Sequence, residues 1–294
     1  MDIKKSFDLS IKQQFLSGEC ILPGIFVSGE ENFGRDITTR GKTKYHETYF
    51  NQDFGNMIKK SLSQPIYQSY DNGKGGELRD KFFCVGSSSR FAVACFTTNE
   101  KGNISYIDQF RGSKIKEIQF EKALRITGIS GTPPQMDVYY KTELENFVEV
   151  KCHEIFDESE HTKLEIALQY TNNEIFLNIA DHYEISIAKK IVKHKNGSQY
   201  IIFDRNDFGV KSKSTHFDLK QFLCHLMGII SYSKVSEEKN FIYLFYKSKD
   251  ERFSYVYLEL AEEIEQIKES FSWLFEKYHI NFSVLYNESF NTLK

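Results

Sequence analysis

One stretch of the chain, Phe147–His153, alternates between apolar and polar residues, and it constrains the fold more than any other feature. A period of two is typical of a β-strand and places Val148 and Val150 on one face. Glu149 and Lys151 then share the opposite face, about 6.5–7 Å apart. Because further apolar elements follow in the sequence, we expect this strand to lie inside a sheet, with its charged face lining a cleft.

Other segments have the spacing of helices and strands. Ser87-Ser-Ser89 offers capping hydroxyls to a short apolar helix, and Thr215 or Asp218 can cap a helix that runs to about Ile230. The predicted elements are a helix over 51–62, a helix over 90–96, a sheet-like region over 115–129, strands over 137–140 and 147–153, a charged helix near 159–170, a helix ending near 230, a strand over 241–246, a helix over 258–278 and a strand over 281–286. This order predicts an α/β (α+β) fold in which helices flank a central mixed β-sheet.

The composition excludes two classes of protein. With 40% apolar and 27% charged residues, the 294-residue chain has a globular and not a disordered composition. A formal net charge of -3 excludes a globally basic nucleic-acid coat protein, but a local basic groove can still bind DNA. Arg40, Lys42 and Lys44 are therefore candidate contacts to DNA phosphates, and a solvated surface is the alternative for this basic stretch.

The five cysteines indicate a reducing compartment. They are spread from Cys20 to Cys224 without a C-x-x-C pair, which favours neither a disulfide framework nor a zinc knuckle. The N-terminal segment lacks the apolar run of a signal peptide, and the longest apolar-looking run, Phe222–Tyr232, is far shorter than a membrane span. We expect a soluble cytoplasmic protein with no membrane partner.

Asp137 adds a second carboxylate to the charged strand. It follows a loop rich in glycine and proline, begins a predicted strand, and lies within cross-strand reach of Glu149 if the two strands form a hairpin. Two carboxylates are hard oxygen ligands suited to Mg²⁺, and Lys151 beside them can stabilise charge on a phosphate. Such a set can hydrolyse a phosphodiester with the help of a metal ion. The alternative is a solvent-facing cross-strand ion pair.

Several separated motifs, spread over about residues 73–232, together resemble those of a known superfamily. They are Gly75-Gly-Glu-Leu78 with Lys81-Phe82, Ser87-Ser-Ser89, Gly128-Ile-Ser-Gly-Thr-Pro-Pro134 with Asp137, Glu149-Val-Lys-Cys-His-Glu154, and Gln221-Phe-Leu-Cys-His225. The chain resembles the PD-(D/E)xK nuclease superfamily, and within it a bacterial family assigned to restriction endonucleases. The superfamily core, a helix, a three-stranded meander, a helix and a further strand, fits the predicted order of elements.

The resemblance implies one nuclease domain over 1–294 with a restriction-endonuclease-like core. The core would cover about 73–250 and would carry an insertion over about 155–214. The residues before the core would form an N-terminal addition, and a helix and strand over 255–290 a C-terminal one.

The resemblance also implies roles for individual residues. Asp137 and Glu149 correspond to the metal ligands, with the carbonyl of Val150 as a third. Lys151 corresponds to the catalytic lysine. Glu77, just before the first core helix, resembles an additional acidic ligand that many members carry there.

Three further residues are candidates for supporting roles. Gln221 and His225, which are i and i+4 neighbours on a predicted helix, resemble the Gln-x-x-x-Tyr motif of some exonuclease-like members, with histidine in place of tyrosine. Glu154 follows the charged strand, and it is either a supporting group in the site or a surface carboxylate.

The expected function is hydrolysis of DNA phosphodiester bonds by an Mg²⁺-dependent restriction-type endonuclease, in which Mn²⁺ can substitute. DNA is the expected partner, and many such enzymes form homodimers to cut both strands. Two alternatives stay open: a catalytically silent nuclease-fold protein that binds DNA, and a structural or partner-binding α/β protein. Convergence of the predicted acidic residues and the lysine in one cleft would exclude the last of these.

Overall fold

The computed structural model describes residues 2–39, 42–72, 78, 81–157, 163–193, 197, 199–212 and 214–293. Two residues predicted for the site, Arg40 and Glu77, lie outside them. The described helices are α1 (Ile3–Leu16), α2 (Gln52–Ser61), α3 (Gln64–Asn72), α4 (Ser88–Phe96), α5 (Glu174–His182), α6 (Ile187–Lys190), α7 (Leu219–Tyr232) and α8 (Ser254–Lys277). The described strands are β1 (Phe33–Thr39), β2 (Lys42–Phe50), β3 (Thr97–Glu100), β4 (Asn103–Tyr106), β5 (Gln109–Phe110), β6 (Ser113–Lys114), β7 (Glu117–Ala123), β8 (Gln135–Lys141), β9 (Glu145–Lys151), β10 (Lys163–Ala167), β11 (Ile191–Lys193), β12 (Gln199–Asp204), β13 (Lys239–Tyr246) and β14 (Ile280–Asn287).

A five-stranded mixed sheet with the order β14-β13-β9-β8-β7 forms the centre of the molecule. Strands β7, β8 and β9 make an antiparallel meander, whereas β13 runs parallel to both β9 and β14. Helix α8 connects β13 to β14, because parallel neighbours require a crossover connection. Strand β9 is the middle strand, and its residues from Asn146 to Val150 are all buried. The alternating stretch of sequence is therefore the central strand, as predicted.

Helices cover both faces of this sheet. On one face the ring of Phe222 in α7 stacks on that of Phe241 in β13, with centroids 5.6 Å apart. On the other face Phe7 of α1 and Phe91 of α4 pack edge-on against Tyr246, at 5.9 and 5.4 Å. Positions 241 and 246 of one strand point to opposite faces, so the sheet is the middle of three layers. The predicted α/β (α+β) fold, with a central mixed sheet flanked by helices, is confirmed.

The two helices that were predicted from their caps are also confirmed. Ser87 Oγ accepts a hydrogen bond from the backbone N–H of Arg90 at 3.1 Å, and α4 begins at the next residue. Asp218 Oδ1 accepts from the N–H of Gln221 at 2.9 Å and caps α7. Each side-chain oxygen satisfies a backbone donor that the first helical turn leaves without a partner.

The prediction of a charged helix near 159–170 is wrong. Residues 163–167 form β10, which pairs antiparallel with β12 in a three-stranded sheet with the order β10-β12-β11. Leu164 and Ile166 are both buried, and charged residues stand on either side of Leu164. This period of two favours a strand, and the pairing with β12 overrides the helical preference of the charged residues.

This smaller sheet lies within segment 155–214, together with α5 and α6. The segment is tied to the C-terminal helix, because the hydroxyl of Tyr183 donates to the carbonyl of Ser270 in α8 at 2.5 Å. Among the described residues, no helix combines the length and the apolar character that crossing a lipid bilayer requires.

Candidate functional site

Asp137 and Glu149 face each other across the meander. Strands β8 and β9 pair with Val138 opposite Val148, so the next position in this register sets Asp137 opposite Glu149. Directly opposed residues of antiparallel strands have Cβ atoms about 4.5–5.5 Å apart. The Oδ2 atom of Asp137 accepts a hydrogen bond from the backbone N–H of Val150 at 2.7 Å. This bond continues the pairing where the regular ladder ends and holds the carboxylate beside β9.

Lys151 lies on the same face and is held at two points. Its Nζ donates to Glu149 Oε1 at 2.6 Å and to Gln221 Oε1 at 2.5 Å. The side chain of Lys151 is 13% exposed and that of Glu149 only 2%, so the pair is not a solvated surface ion pair. The structure brings together four residues that were predicted for the site, from two neighbouring strands and the first turn of α7.

His225 lies one turn further along α7, and its Nδ1 is 3.3 Å from Glu149 Oε2. Burial and the positive charge of Lys151 lower the pKa of His225 to about 3, so the ring is neutral and forms no ion pair. Within the described part of the chain, neither Nδ1 of His225 nor Oε2 of Glu149 has a hydrogen-bond partner. A buried carboxylate oxygen without a donor is unfavourable unless a cation satisfies it.

The buried acidic groups resist ionisation. Burial, and then repulsion by Glu149, raise the pKa of Asp137 well above its ordinary value. Burial raises the pKa of Glu149 to about 7, although Lys151 opposes the shift. Burial lowers the pKa of Lys151, but attraction to Glu149 and its other acidic neighbours raises this pKa by a larger amount. The pKa of Lys151 therefore lies above its ordinary value. The site carries one firmly protonated ammonium and two carboxyl groups that a bound cation would help to ionise.

These side chains line an open cavity with a volume of about 810 Å³. Glu154, the third supporting candidate, lines it as well, and its Oε2 accepts from the N–H of Cys152 at 2.8 Å. Burial raises the pKa of Glu154, but His153 and Lys151 lower it more, so the net shift is downward and the group is ionised. Glu154 is therefore an ionised carboxylate that lines the cavity, which agrees with a supporting role.

Three acidic residues that line the cavity were not among the predicted site residues: Glu121, Asp157 and Asp218. By the register of β7 and β8, Glu121 stands opposite Asp137, and it adopts a left-handed backbone conformation with φ of 52°. A left-handed backbone is unusual for a non-glycine residue within a strand, and no sequence pattern announces it. Asp218 was identified only as a helix cap, yet it also lines the cavity. Asp218 caps the helix whose first turn carries Gln221, and this position in the sequence could have indicated that Asp218 lies near the site.

The predicted DNA contacts are only partly described. Lys42 and Lys44 are exposed on β2, which forms an antiparallel hairpin with β1. Lys44 lines a second cavity of about 600 Å³, together with Lys4 and Lys5 of α1. This cavity adjoins the first one, because Cys84 and other residues line both.

The donor set fits a hard divalent cation. It provides two opposed carboxylates, one of them with a buried oxygen that lacks a donor, and an ammonium group on a cavity wall. Mg²⁺ prefers such oxygen ligands. Comparison of the chain with protein-family models, with curated proteins and with solved structures finds no match. The functional argument therefore depends on the geometry and chemistry of the site.

Proposed function

We propose that the protein is a metal-dependent deoxyribonuclease that acts as a restriction-type endonuclease. The observation that carries this proposal is the convergence of Asp137, Glu149 and Lys151 on one face of β8 and β9, at the wall of an 810 Å³ cavity. The sequence motif assigns metal binding to the two carboxylates and catalysis to the lysine. A surface ion pair would not bury Glu149 or leave the side chain of Lys151 only 13% exposed.

The order of the elements supports a restriction-endonuclease-like core. Helix α4, the meander β7–β8–β9, helix α7 and strand β13 follow one another along the chain, with the smaller sheet inserted before α7. This is the sequence of helix, three-stranded meander, helix and strand that the resemblance implies. Helix α1 and the β1–β2 hairpin would be the N-terminal addition, and α8 with β14 the C-terminal one.

Asp137, Glu149 and the carbonyl of Val150 would hold one Mg²⁺, for which Mn²⁺ can substitute. When bound, the cation would polarise a phosphoryl oxygen and supply an activated water for in-line attack. Lys151 would stabilise the negative charge that develops on the phosphate, since its ammonium stays protonated. Gln221 fixes that ammonium through the 2.5 Å hydrogen bond, and the neutral ring of His225 adds no competing charge beside Glu149.

DNA would approach along the two adjoining cavities. Lys4, Lys5 and Lys44 line the second one and would contact phosphates, while the acidic first cavity would receive the scissile bond. Phosphate contacts of this kind position the duplex and make binding dependent on salt.

Cleavage of supercoiled plasmid with Mg²⁺ or Mn²⁺ tests the proposal. The Asp137→Asn variant keeps an oxygen that can accept the hydrogen bond from Val150 but lacks the negative charge. We expect nicking or linearisation by the native protein and by Asp181→Asn, which alters an exposed carboxylate on α5. EDTA and Asp137→Asn should each abolish it. Cleavage that survives in Asp137→Asn would contradict the assignment, as would intact plasmid and single-stranded DNA together with no Mg²⁺ binding.

A further inference from the structure

Three side chains from distant parts of the chain meet beyond the end of β9. The Nδ1 atom of His153 is 2.9 Å from Asp8 Oδ1. The Sγ atom of Cys84 is 3.8 Å from Asp8 Oδ2 and 3.9 Å from His153 Nδ1. One nitrogen, one sulfur and one carboxylate thus point to a common centre. Asp8 belongs to α1, Cys84 to the turn before α4, and His153 to the bend after β9.

This arrangement does not have the form of a catalytic relay. In a nucleophile–histidine–acid triad, the nucleophile contacts one ring nitrogen and the acid orients the other. Here the thiol and the carboxylate both approach Nδ1 of His153. Three donors that converge on one point, and do not follow one another in a line, are the arrangement of metal ligands.

The distances fit a small tetrahedral ion. With metal–nitrogen and metal–oxygen bonds near 2.0–2.1 Å and metal–sulfur bonds near 2.3 Å, tetrahedral angles place the donor atoms roughly 3.3–3.6 Å apart. Cys84 Sγ and His153 Nδ1 are 3.9 Å apart, and the two carboxylate oxygens of Asp8 each lie near one of them, Oδ1 at 2.9 Å from Nδ1 and Oδ2 at 3.8 Å from Sγ. One donor atom from each residue lies within 4.8 Å of the other two, so small shifts of these side chains bring the three donors to that spacing. A thiolate and an imidazole select a softer ion than Mg²⁺, and Zn²⁺ accepts sulfur, nitrogen and oxygen ligands together.

The surroundings provide space on one side and close packing on the other. Asp8 and Cys84 are 6% and 3% exposed, which keeps the ligands out of bulk water. Cys84 and His153 line both cavities, so a fourth coordination position faces open space. Gly86 packs so closely that a Cβ atom there would overlap Asp8 Oδ1 and His153 Nδ1. The absence of a side chain at position 86 leaves room for the ligands to approach each other.

We propose that Asp8, Cys84 and His153 bind one Zn²⁺ per chain, with the fourth position open to the cavities. Binding replaces the Asp8–His153 hydrogen bond with metal–ligand bonds, and two protons leave to the buffer: the thiol proton of Cys84 and the proton that His153 Nδ1 donates to Asp8. The ion crosslinks α1, the turn before α4 and the end of β9, and so fixes the N-terminal helix beside the central sheet. The site does not depend on the proposed nuclease activity, because it shares no ligand with Asp137 and Glu149.

Titration with Co²⁺ as a spectroscopic probe for Zn²⁺ tests this proposal on the full chain without an affinity tag, after removal of metals with EDTA. With excess Mg²⁺ present to occupy the carboxylate pair, we expect one Co²⁺ per chain, the visible bands of a tetrahedral site and thiolate-to-cobalt charge transfer. Zn²⁺ should displace Co²⁺, whereas excess Mg²⁺ should not. Absence of saturable binding, or binding without the charge-transfer band, would overturn the proposal.

Variants separate this site from the other cysteines and from the carboxylate pair. Cys84→Ser should remove the charge-transfer band and weaken Zn²⁺ binding by at least about 100-fold, because loss of a direct ligand exceeds the effect of changing an outer residue. Cys224→Ser, which alters another cysteine of the first cavity, and Asp137→Asn should bind as the native chain does. Circular dichroism checks the fold, and Asp8→Asn gives a second ligand variant if Cys84→Ser unfolds. A charge-transfer band that persists in Cys84→Ser, or vanishes in Cys224→Ser, would contradict the assignment.

Discussion

Two clusters of potential metal ligands lie at the same end of β9, and they differ in how the chain builds them. The carboxylate cluster comes from a hairpin, in which Asp137 and Val150 are 13 positions apart. The second cluster joins Asp8 to His153 across 145 positions and to Cys84 across 76. The comparison teaches that strand alternation can predict a site within one hairpin, whereas a site between distant segments depends on the packing of the whole fold.

The clusters also differ in charge. The carboxylate cluster sets two carboxyl groups against one ammonium, and burial raises the pKa of both Asp137 and Glu149. In the second cluster Asp8 already pairs with His153 at 2.9 Å. A bound cation therefore alters the charge of the carboxylate cluster more than that of the second cluster. The thiol and imidazole of the second cluster select a softer metal than the carboxylates do.

The largest expected effect is the loss of activity in Glu149→Gln. The amide keeps the shape of the side chain but is a poor ligand for a hard cation, so we expect the rate of DNA cleavage to fall by about 10³-fold or more. Asp181→Asn should leave the rate unchanged. The rates of both variants are measured under single-turnover conditions at saturating Mg²⁺. A rate for Glu149→Gln within tenfold of the native rate would show that Glu149 is not a metal ligand.

The affinity for Mg²⁺ should rise with pH. Only the ionised carboxylates bind the cation. The pKa of Glu149 is about 7, so protons compete with the cation at Glu149 below that pH, and the raised pKa of Asp137 adds to the competition. We expect the affinity to fall by about tenfold per pH unit for each proton displaced as the pH is lowered through about 7. Calorimetric titrations with Mg²⁺ between pH 5.5 and 8.5 measure this dependence. An affinity that does not change with pH would show that neither carboxylate is a ligand.

Gly86→Ala should weaken the second cluster and leave the first one intact. The added Cβ would overlap Asp8 and His153, which must separate to accommodate it. We expect Zn²⁺ affinity to fall by about tenfold and the free energy of unfolding to fall by about 1–3 kcal/mol, as is common for overpacking. Mg²⁺ affinity is the internal control. Equal losses for both metals would indicate general disruption of the fold.

The smallest expected effect concerns Asp218, which supports the carboxylate cluster through the start of α7. Asp218→Ala removes the N-cap and should lower the free energy of unfolding by about 1 kcal/mol. Asp218→Asn keeps a capping oxygen and should retain most of that stability. Urea denaturation of the two variants measures the difference. Identical losses would show that the charge of Asp218, and not its cap, stabilises the protein.

Much of the carboxylate cluster was predictable from the sequence. Alternation around Glu149 and Lys151 fixes the face of β9, and the spacing of Gln221 and His225 places them one turn apart on α7. The hairpin then brings Asp137 to the same face. The left-handed backbone of Glu121 could not be predicted, because it depends on how the edge strand packs in the folded chain.

The second cluster and the smaller sheet were not predictable. Cys84 and His153 follow no ligand spacing, and Asp8 lies in α1, a helix that was not predicted from the sequence. Strict alternation would put His153 on the face of Lys151, but β9 ends at Lys151 and Nδ1 of His153 lies 2.9 Å from Asp8 Oδ1. Strand β10 was mistaken for a helix because its charged residues have helical preferences that the pairing with β12 overrides.

The most direct test of the central claim is a crystal structure of the full chain soaked in Mn²⁺, with anomalous scattering used to locate the ion. The account predicts a Mn²⁺ ion between Asp137 and Glu149, within about 2.0–2.6 Å of an oxygen of each carboxylate. A map without an ion at this position, or with Mn²⁺ only at Asp8, Cys84 and His153, would contradict it.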